Sequence, residues 1–182
     1  VAHLDRFDPA PVQARLGLMP PYAVATLHRP ANVDTAEAAT ALVGALREAT
    51  ARLPLVLPLH PRGRARLESA GLGDVPDLHV VEPLGYIEFL SLVRGAAVVI
   101  TDSGGIQEET TVLDVPCLTL RPNTERPITE QLGSNRVVGV KTEAILAAYR
   151  DIRAGRGPKC RIPPLWDGHA AERIVEILAR GI

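Results

Sequence analysis

The feature that most constrains the fold is an apolar run that leads directly into a glycine-led helix. Residues 96–100 are continuously apolar, as in a short buried strand. Gly104 and Gly105 then open a stretch of good helix formers, so the strand is predicted to turn straight into a helix. At such a helix start the unpaired N–H groups carry a partial positive charge, and glycine lets a ligand come close. Ser103 and these glycines therefore predict an anion site, most naturally for a phosphate.

The rest of the chain alternates in the same way between short apolar runs and segments of helical spacing. Strands are predicted at residues 22–27, 55–59, 78–81, 96–100, 116–120 and 136–140. Helices are predicted around residues 12–16, 35–51, 64–70, 86–94 and 142–153, with a last helix capped by Asp167. Asp114 is predicted to end the central helix in the left-handed conformation. Because the central strands are apolar throughout, the pattern predicts an α/β fold with a doubly wound, Rossmann-like parallel sheet covered on both faces.

This pattern divides the chain into three stretches. Residues 1–21 are predicted to form a lead-in segment, and residues 22–153 a Rossmann-like nucleotide-binding domain. Residues 154–182, which begin rich in proline and glycine, are predicted to form a linker and a C-terminal helix of the same domain.

Composition argues against several kinds of partner and site. A formal net charge of −1 and an aromatic content of 3% argue against nucleic acid and against a membrane surface. No apolar run reaches membrane-spanning length, and no signal peptide is visible. Cys117 lies in an apolar run where a buried free thiol is expected, which predicts a reducing compartment, the cytoplasm. The cysteine and histidine spacing of a zinc site is missing, so neither a metal nor a cofactor is predicted.

Polar residues follow the predicted strands where they end. The strand exits carry His28, Arg29, His60, Arg62, Glu82, Ser103, Arg121 and Arg126. Because the carboxyl ends of parallel strands share one edge, these residues are expected to meet where ligands of such sheets bind. Glu109 follows Gly105 by four residues, so it shares that helix face and could accept the two hydroxyls of a ribose.

Each of these residues also has an ordinary structural interpretation. His60 alone would be a loop residue, Phe89 a core residue, and Arg126 an ion-pair partner of Glu125 or Glu130. Together they favour a phosphorylated ligand. The dinucleotide-binding glycine motif, the Walker lysine and the hydrolase nucleophile elbow are missing from the sequence, which weakens those three interpretations.

Four segments in a fixed order carry a family resemblance. They are residues 26–34 (TLHRPANVD), 59–62 (LHPR), 102–109 (DSGGIQEE) and 124–127 (TERP). They closely resemble the non-hydrolysing UDP-N-acetylglucosamine 2-epimerases of bacteria, from about residue 22 to residue 139 and again over 166–178. The resemblance implies the C-terminal, UDP-binding half of a two-domain GT-B type fold. It also implies an isomerase of polysaccharide biosynthesis, which converts UDP-N-acetylglucosamine to UDP-N-acetylmannosamine by eliminating UDP and adding it back.

The resemblance assigns roles to residues of this chain. The UDP-binding residues it implies are Leu84, Phe89, Ser103, Gly104, Gly105, Glu109 and Arg126. Among them the serine and glycines hold the diphosphate, the glutamate holds the ribose, the arginine neutralises the leaving phosphates, and Phe89 with the backbone at Leu84 frames the uracil. His28 would assist the leaving group as the catalytic residue. Arg29 and His60 would belong to an allosteric site for a second substrate molecule.

The family's acid and base carboxylates lie in an N-terminal domain that this chain does not contain. The chain is therefore expected to bind UDP or a UDP-N-acetylhexosamine weakly and to be inactive alone. Its implied partners are that missing domain and, at full length, a second copy in a homodimer. Two alternatives remain open from the sequence. One is the donor-binding half of a UDP-sugar glycosyltransferase, and the other is a non-catalytic nucleotide-sugar-sensing domain.

Overall fold

A six-stranded parallel sheet organises the chain. The computed structural model describes residues 4–27, 35–51, 53–59 and 61–181. The strands are β1 Ala23–Thr26, β2 Leu55–Pro58, β3 Leu78–Val81, β4 Val98–Thr101, β5 Cys117–Thr119 and β6 Asn135–Val137. Their order is β3-β2-β1-β4-β5-β6, and every neighbouring pair is parallel. The predicted doubly wound, Rossmann-like fold is confirmed, and its strand order reverses between β1 and β4.

The junction between β1 and β4 is closely tied at its carboxyl end. Thr26 pairs with Thr101 in the register of the two strands, and their hydroxyl oxygens lie 2.7 Å apart. In open parallel sheets the crevice beside such a switch point is where ligands bind. The segment that follows β4 therefore stands at the place where a ligand is expected.

Eight α-helices lie within the described residues. They are α1 Pro9–Leu16, α2 Ala36–Thr50, α3 Pro61–Ser69, α4 Tyr86–Arg94, α5 Gly104–Leu113, α6 Pro127–Gln131, α7 Thr142–Arg153 and α8 Ala170–Ala179. Single 3₁₀ turns lie at Leu4–Arg6 and Leu72–Asp74. The predicted bounds of α4 and α7 are correct to the residue. Helix α1 starts earlier than predicted, because Asp8 accepts the Ala10 N–H at 3.0 Å and Pro9 fits the first helical position.

Two apolar clusters lie on opposite faces of the sheet. Successive strand residues point to opposite faces, so Ala25 belongs to the cluster under α2 and α7, whereas Val24 belongs to the cluster under α1 and α4. Both faces are therefore covered, as the continuously apolar strands predicted. Across the described residues, none of the helices combines the length and the apolar character that crossing a bilayer requires.

The two ends of the chain differ in how they pack. Phe7 and Val12 of the lead-in segment are buried, and Arg94 donates hydrogen bonds to the Leu4 and Phe7 carbonyl oxygens at 2.6 and 2.8 Å. Helix α8, in contrast, has no buried residue. It exposes the apolar side chains of Ile174, Val175, Ile177 and Leu178. The domain boundary at residue 21 stays a prediction.

Candidate functional site

The turn between β4 and α5 is built as the sequence predicts, with one difference. Ser103 is the N-cap residue of α5 in an extended conformation, and its hydroxyl makes no capping hydrogen bond. Its own N–H, however, donates to Thr101 Oγ1 at 3.0 Å. Gly105 is exposed, and a Cβ atom built there would meet nothing within 4 Å. An anion can therefore reach the start of α5 at Gly104, Gly105 and the Ser103 hydroxyl. The Ser103 N–H is not available to it, because it already donates to Thr101.

One buried amide fixes this turn, and sequence reasoning missed it. Gln107 is 0% exposed and donates from Nε2 to the Ser103 carbonyl oxygen at 3.1 Å. Its Oε1 accepts from Thr124 Oγ1 at 2.5 Å and from Asn135 Nδ2 at 3.1 Å. Thr124 Oγ1 in turn accepts the Arg126 N–H at 2.9 Å. A single side chain thus holds the predicted anion turn and the loop of the predicted arginine together.

Arg126 lies against the same helix. Its Nε is 3.0 Å from Oε1 of Glu108, and its side chain is about half exposed, at 46%. The ion-pair partners proposed from the sequence, Glu125 and Glu130, are wrong. Glu125 pairs with Arg121, and Glu130 accepts a backbone N–H of β6 at 2.9 Å. The structure therefore brings the guanidinium of Arg126 to α5, the helix that the glycines begin.

Glu109, in the second turn of α5, and Tyr86, the first residue of α4, lie along one groove. Glu109 is half-buried. Burial raises the pKa of Glu109, the nearby Tyr86 hydroxyl acts in the opposite direction, and the neighbouring Glu108 raises it further. Both side chains line an open groove of about 610 Å³ between α4, α5 and the lead-in segment. Sequence reasoning missed Tyr86, because 23 residues separate it from Glu109 and only the fold places both along one groove.

The two residues predicted to frame a uracil are partly in the core. Leu84 and Phe89 are half-buried and pack against the apolar cluster under α1 and α4. The ordinary interpretation of Phe89 as a core residue thus describes part of its surroundings. Contact of either residue with a base stays a prediction.

Three predicted residues cannot be placed. His28, Arg29 and His60 lie outside the described residues, so their catalytic and allosteric roles stay predictions. Among the residues that are described, no group of three His, Cys, Asp or Glu side chains could hold a metal ion.

Comparison with known proteins identifies the family. A family model described as UDP-N-acetylglucosamine 2-epimerase matches residues 5–179. The chain belongs to this family. It is 39% identical over 166 residues to the UDP-N-acetylglucosamine 2-epimerase of Methanocaldococcus jannaschii, covering 88% of this chain and 45% of the relative. It is also 36% identical over 160 residues to UDP-2,3-diacetamido-2,3-dideoxy-D-glucuronate 2-epimerase of Pseudomonas aeruginosa, covering 87% of this chain and 44% of the relative.

The fold agrees with that membership. A crystal structure of the M. jannaschii UDP-GlcNAc 2-epimerase in complex with UDP-GlcNAc and UDP matches with a TM-score of 0.79 at 37% identity. The match covers 94% of this chain and 49% of that one. The chain thus spans about half the length of the relatives it matches, as expected for one half of a GT-B type fold. Relatives come from archaea as well as bacteria, so the family resemblance is confirmed but its restriction to bacteria is not.

Proposed function

We propose that this chain is the UDP-binding half of a UDP-N-acetylglucosamine 2-epimerase. The observation that carries the proposal is the start of α5 beside the β1–β4 switch point, where Gly104 and the exposed Gly105 begin the helix and the side chain of Arg126 contacts it through Glu108. Family membership favours this isomerase over the two alternatives drawn from the sequence, a glycosyltransferase half and a sensing domain.

The geometry suits the elimination of a diphosphate. Negative charge grows on the UDP oxygens as the bond to the sugar breaks, and fixed donors aimed at that charge lower the barrier. The N–H groups at Gly104 and Gly105 are fixed by the helix, and Ser103 by the bond from Gln107 to its carbonyl oxygen. Arg126 adds a positive charge, which it shares with its ion-pair partner Glu108, and its loop is anchored through Thr124. His28 remains the candidate for protonating or stabilising the leaving group.

The nucleoside would extend from the diphosphate toward α4. Glu109 lies one helical turn beyond Gly105 on α5, and its carboxylate suits the two ribose hydroxyls. Phe89 and the backbone at Leu84 would frame the uracil at the start of α4. Arg29 and His60 would bind a second substrate molecule as an allosteric activator.

The identity of the sugar has to be argued separately. The residues proposed above bind the UDP part of the substrate, and none of them is proposed to contact the sugar ring. UDP-N-acetylglucosamine, with UDP-N-acetylmannosamine as product, is the first candidate, since the Methanocaldococcus jannaschii and Methanococcus maripaludis relatives are named for that sugar. The P. aeruginosa relative favours a second candidate, a UDP-diacetamido uronic acid. Both candidates share the nucleotide and the position of epimerisation. Either product fits a role in polysaccharide biosynthesis.

We also propose the partners of the chain and its location in the cell. The other half of the relatives would supply the missing domain, and the exposed apolar side chains of α8 favour such a partner. We propose a homodimer for the complete enzyme. Cys117 and Cys160 are free thiols, and burial raises the pKa of Cys117 to about 12, which fits an unreactive thiol in the cytoplasm.

UDP is expected to raise the thermal midpoint of this chain more than UMP does. The second phosphate is the group that meets the α5 start and Arg126, so it supplies much of the stabilisation by ligand binding. The measurement is a melting series with both nucleotides at matched concentrations. Gly105→Ala is the matched variant: its Cβ meets no protein atom, so it should fold normally and lose the preference for UDP. Equal shifts with UDP and UMP in the wild-type chain would contradict a diphosphate site at this helix.

Glu109→Gln is expected to weaken UDP binding roughly tenfold or more and to leave the fold intact. Hydrogen bonds to a charged acceptor contribute about 1.5–3 kcal/mol, and an amide cannot accept two hydroxyls equally. Calorimetric titration with UDP measures the change. Glu48→Gln makes the same chemical change on an exposed residue of α2, across the sheet, and should leave the affinity unaltered. Unchanged affinity in Glu109→Gln would leave this carboxylate outside the nucleotide site.

A further inference from the structure

A closed ring of hydrogen bonds surrounds the main chain of Arg126. On one side, the Arg126 N–H donates to Thr124 Oγ1 at 2.9 Å, and that hydroxyl donates to Gln107 Oε1 at 2.5 Å. On the other side, the Arg126 carbonyl oxygen accepts from Thr129 Oγ1 at 2.7 Å, and Thr129 Oγ1 accepts from Asn135 Nδ2 at 3.1 Å. Asn135 Nδ2 also donates to Gln107 Oε1 at 3.1 Å, which closes the ring. We call these five residues the amide ring.

The inner part of the amide ring is removed from solvent and is tied to the sheet. Gln107 and Thr129 are 0% exposed, and Asn135 is 1% exposed. Besides its two bonds within the ring, Asn135 accepts through Oδ1 from Thr119 Oγ1, at the end of β5, at 2.6 Å. Gln107 donates to the Ser103 carbonyl oxygen at 3.1 Å. A buried polar network whose groups are all paired is rigid, so the ring fixes the Ser103 turn and the arginine loop relative to β5.

The ring holds the main chain of Arg126 and leaves its side chain free to reach a ligand. The guanidinium is 46% exposed, and its ion pair with Glu108 is of the half-exposed kind that contributes little to stability. The bonds from the ring to main-chain atoms of the site end on Ser103 and Arg126, the two residues proposed to hold the diphosphate. Apolar side chains of the same shape could fill this space at little cost in stability. Stability alone therefore does not explain the ring.

We infer that Asn135 and Thr129 are positioning residues that, with Gln107, hold Arg126 where its guanidinium reaches the second phosphate of a uridine diphosphate. The inference rests on the proposed function and names residues to which the family resemblance assigned no role. Without the ring, the arginine and its loop would have to be ordered when the nucleotide binds, and the entropy lost in that step would reduce the affinity. UMP lacks the second phosphate, so its binding depends much less on where Arg126 lies.

Thr129→Val tests this inference, because it keeps the shape of the side chain and removes only the hydroxyl. The Arg126 carbonyl oxygen still accepts the Thr129 N–H at 3.0 Å, so the first turn of α6 is retained. The measurement is the affinity of the 182-residue chain for UDP and for UMP by calorimetric titration. The wild-type chain is expected to prefer UDP. The variant is expected to bind UDP about three- to fivefold more weakly and UMP less than about twofold more weakly, so that the preference falls.

Thr50→Val is the matched control. Thr50 is 2% exposed, and its hydroxyl donates to the carbonyl oxygen of Arg47, an arginine three residues earlier, at 3.1 Å. It ends α2, on the opposite face of the sheet from α5. The control should lose a comparable amount of stability in urea and keep the whole preference for UDP. An equal fall of the preference in Thr50→Val and Thr129→Val would overturn the inference, because destabilisation alone would then account for both.

Two further variants show which contact the ring acts through. Asn135→Leu replaces the amide by an apolar side chain of similar size, and combining it with Thr129→Val should lower the preference no further than either change alone. Where Asn135→Leu does not fold, Thr129→Val decides the inference by itself. In an Arg126→Gln chain, which lacks the guanidinium, adding Thr129→Val should change the UDP affinity less than about twofold. An undiminished loss in that chain would overturn the inference, because the ring would then act on something other than Arg126.

The outcomes separate this inference from the proposed function. If the wild-type chain prefers UDP and Thr129→Val keeps the whole preference, the inference fails and the proposed diphosphate site stands. If Arg126→Gln keeps the whole preference, the arginine is not a phosphate ligand, and the inference is overturned while the glycine-led helix start remains. If the wild-type chain binds UDP and UMP equally, or binds neither at high concentration, the proposed diphosphate site and the inference are both overturned.

Discussion

Gly133→Ala is expected to lower the free energy of unfolding by about 3 kcal/mol, the upper end of the usual cost of overpacking. A Cβ atom at this position would lie 2.5 Å from the Thr129 carbonyl oxygen and 2.7 Å from Thr111 Cγ2, and closer still to Thr111 Oγ1. Thr111 cannot easily turn away, because it is fully buried and its hydroxyl donates to the Gln107 carbonyl oxygen at 2.8 Å. Urea denaturation, followed by circular dichroism, measures the loss.

Gly44→Ala is the matched control for this substitution. Gly44 lies inside α2 on its exposed face, and a Cβ atom there would meet nothing within 4 Å. The same chemical change should therefore stabilise the protein, by about 0.5–1 kcal/mol, because alanine loses less backbone entropy in a helix. Opposite signs for the two variants are the expected result. A Gly133→Ala midpoint equal to that of the wild type would mean that the turn between α6 and β6 does not pack against α5 as closely as the structure places it.

The outcome at Gly133 also bears on the site. Thr129, whose carbonyl oxygen the new atom would crowd, receives a hydrogen bond from Asn135 Nδ2 at 3.1 Å, and Asn135 in turn bonds Gln107. Displacing Thr129 or Thr111 would disturb the amide that holds the Ser103 turn. Where a Gly133→Ala chain still folds, UDP binding is expected to weaken along with stability.

Much of the fold could be predicted because its signals are local. Helix α4 is bounded by Gly85 and Gly95, and β3 is flanked by Pro76 and Pro83, so the predicted ends are correct. The continuously apolar strands predicted that both faces of the sheet are covered, and the two apolar clusters confirm this prediction. Asp114, with φ at 55°, ends α5 in the predicted left-handed conformation. In each case the residues that decide the structure are neighbours in the sequence.

The errors at element ends have local causes as well, but weaker signals. Asp167 was a reasonable N-cap candidate, yet the N-cap residue of α8 is His169. Asp167 instead accepts the His169 N–H at 3.0 Å and pairs with Arg173 at 2.8 Å, while Gly168 turns the chain at a φ of 92°. Strand β6 ends at Val137 rather than at residue 140. A possible capping residue or turn residue in the sequence therefore locates the end of a helix or strand only to within two or three residues.

The site was predictable only in its parts. The glycine-led helix start is a local signal, and helical spacing alone places Glu109 on the same face. Arg126 follows from its position at a strand exit, and the resemblance then assigned both residues their roles. The contacts that hold these residues in place could not be predicted, because nothing in the sequence distinguishes Gln107 from any other polar residue of a helix. Its partners Thr124 and Asn135 lie 17 and 28 residues away, and the sheet alone brings them together. Long-range polar contacts of this kind have no sequence period to reveal them.

The last prediction concerns catalysis by the chain alone. Given UDP-N-acetylglucosamine in deuterated water, the 182-residue chain is expected to place no deuterium at C2 above background. The reaction needs a base over the sugar ring, and the carboxylates described at the exit edge of the sheet have other engagements. Glu82 pairs with Arg64 at 2.7 Å, Glu108 pairs with Arg126 at 3.0 Å, and Glu109 is the proposed ribose acceptor. General acid–base catalysis contributes about 10²–10⁴-fold per group, so losing several leaves no measurable turnover.

Two further reactions accompany this experiment, a positive control and a complementation. The complete M. jannaschii relative, run under the same conditions, shows that exchange at C2 would be detected. Its N-terminal half, added to this chain as a separate polypeptide, is expected to restore exchange if the two halves associate, because it brings the carboxylates that the resemblance assigns to that domain. Exchange by this chain alone, at a rate comparable to the complete relative, would contradict the division of roles. The base would then have to be His28 or a carboxylate of this chain, and Asp102, fully buried at the end of β4, would be the first to replace by Asn.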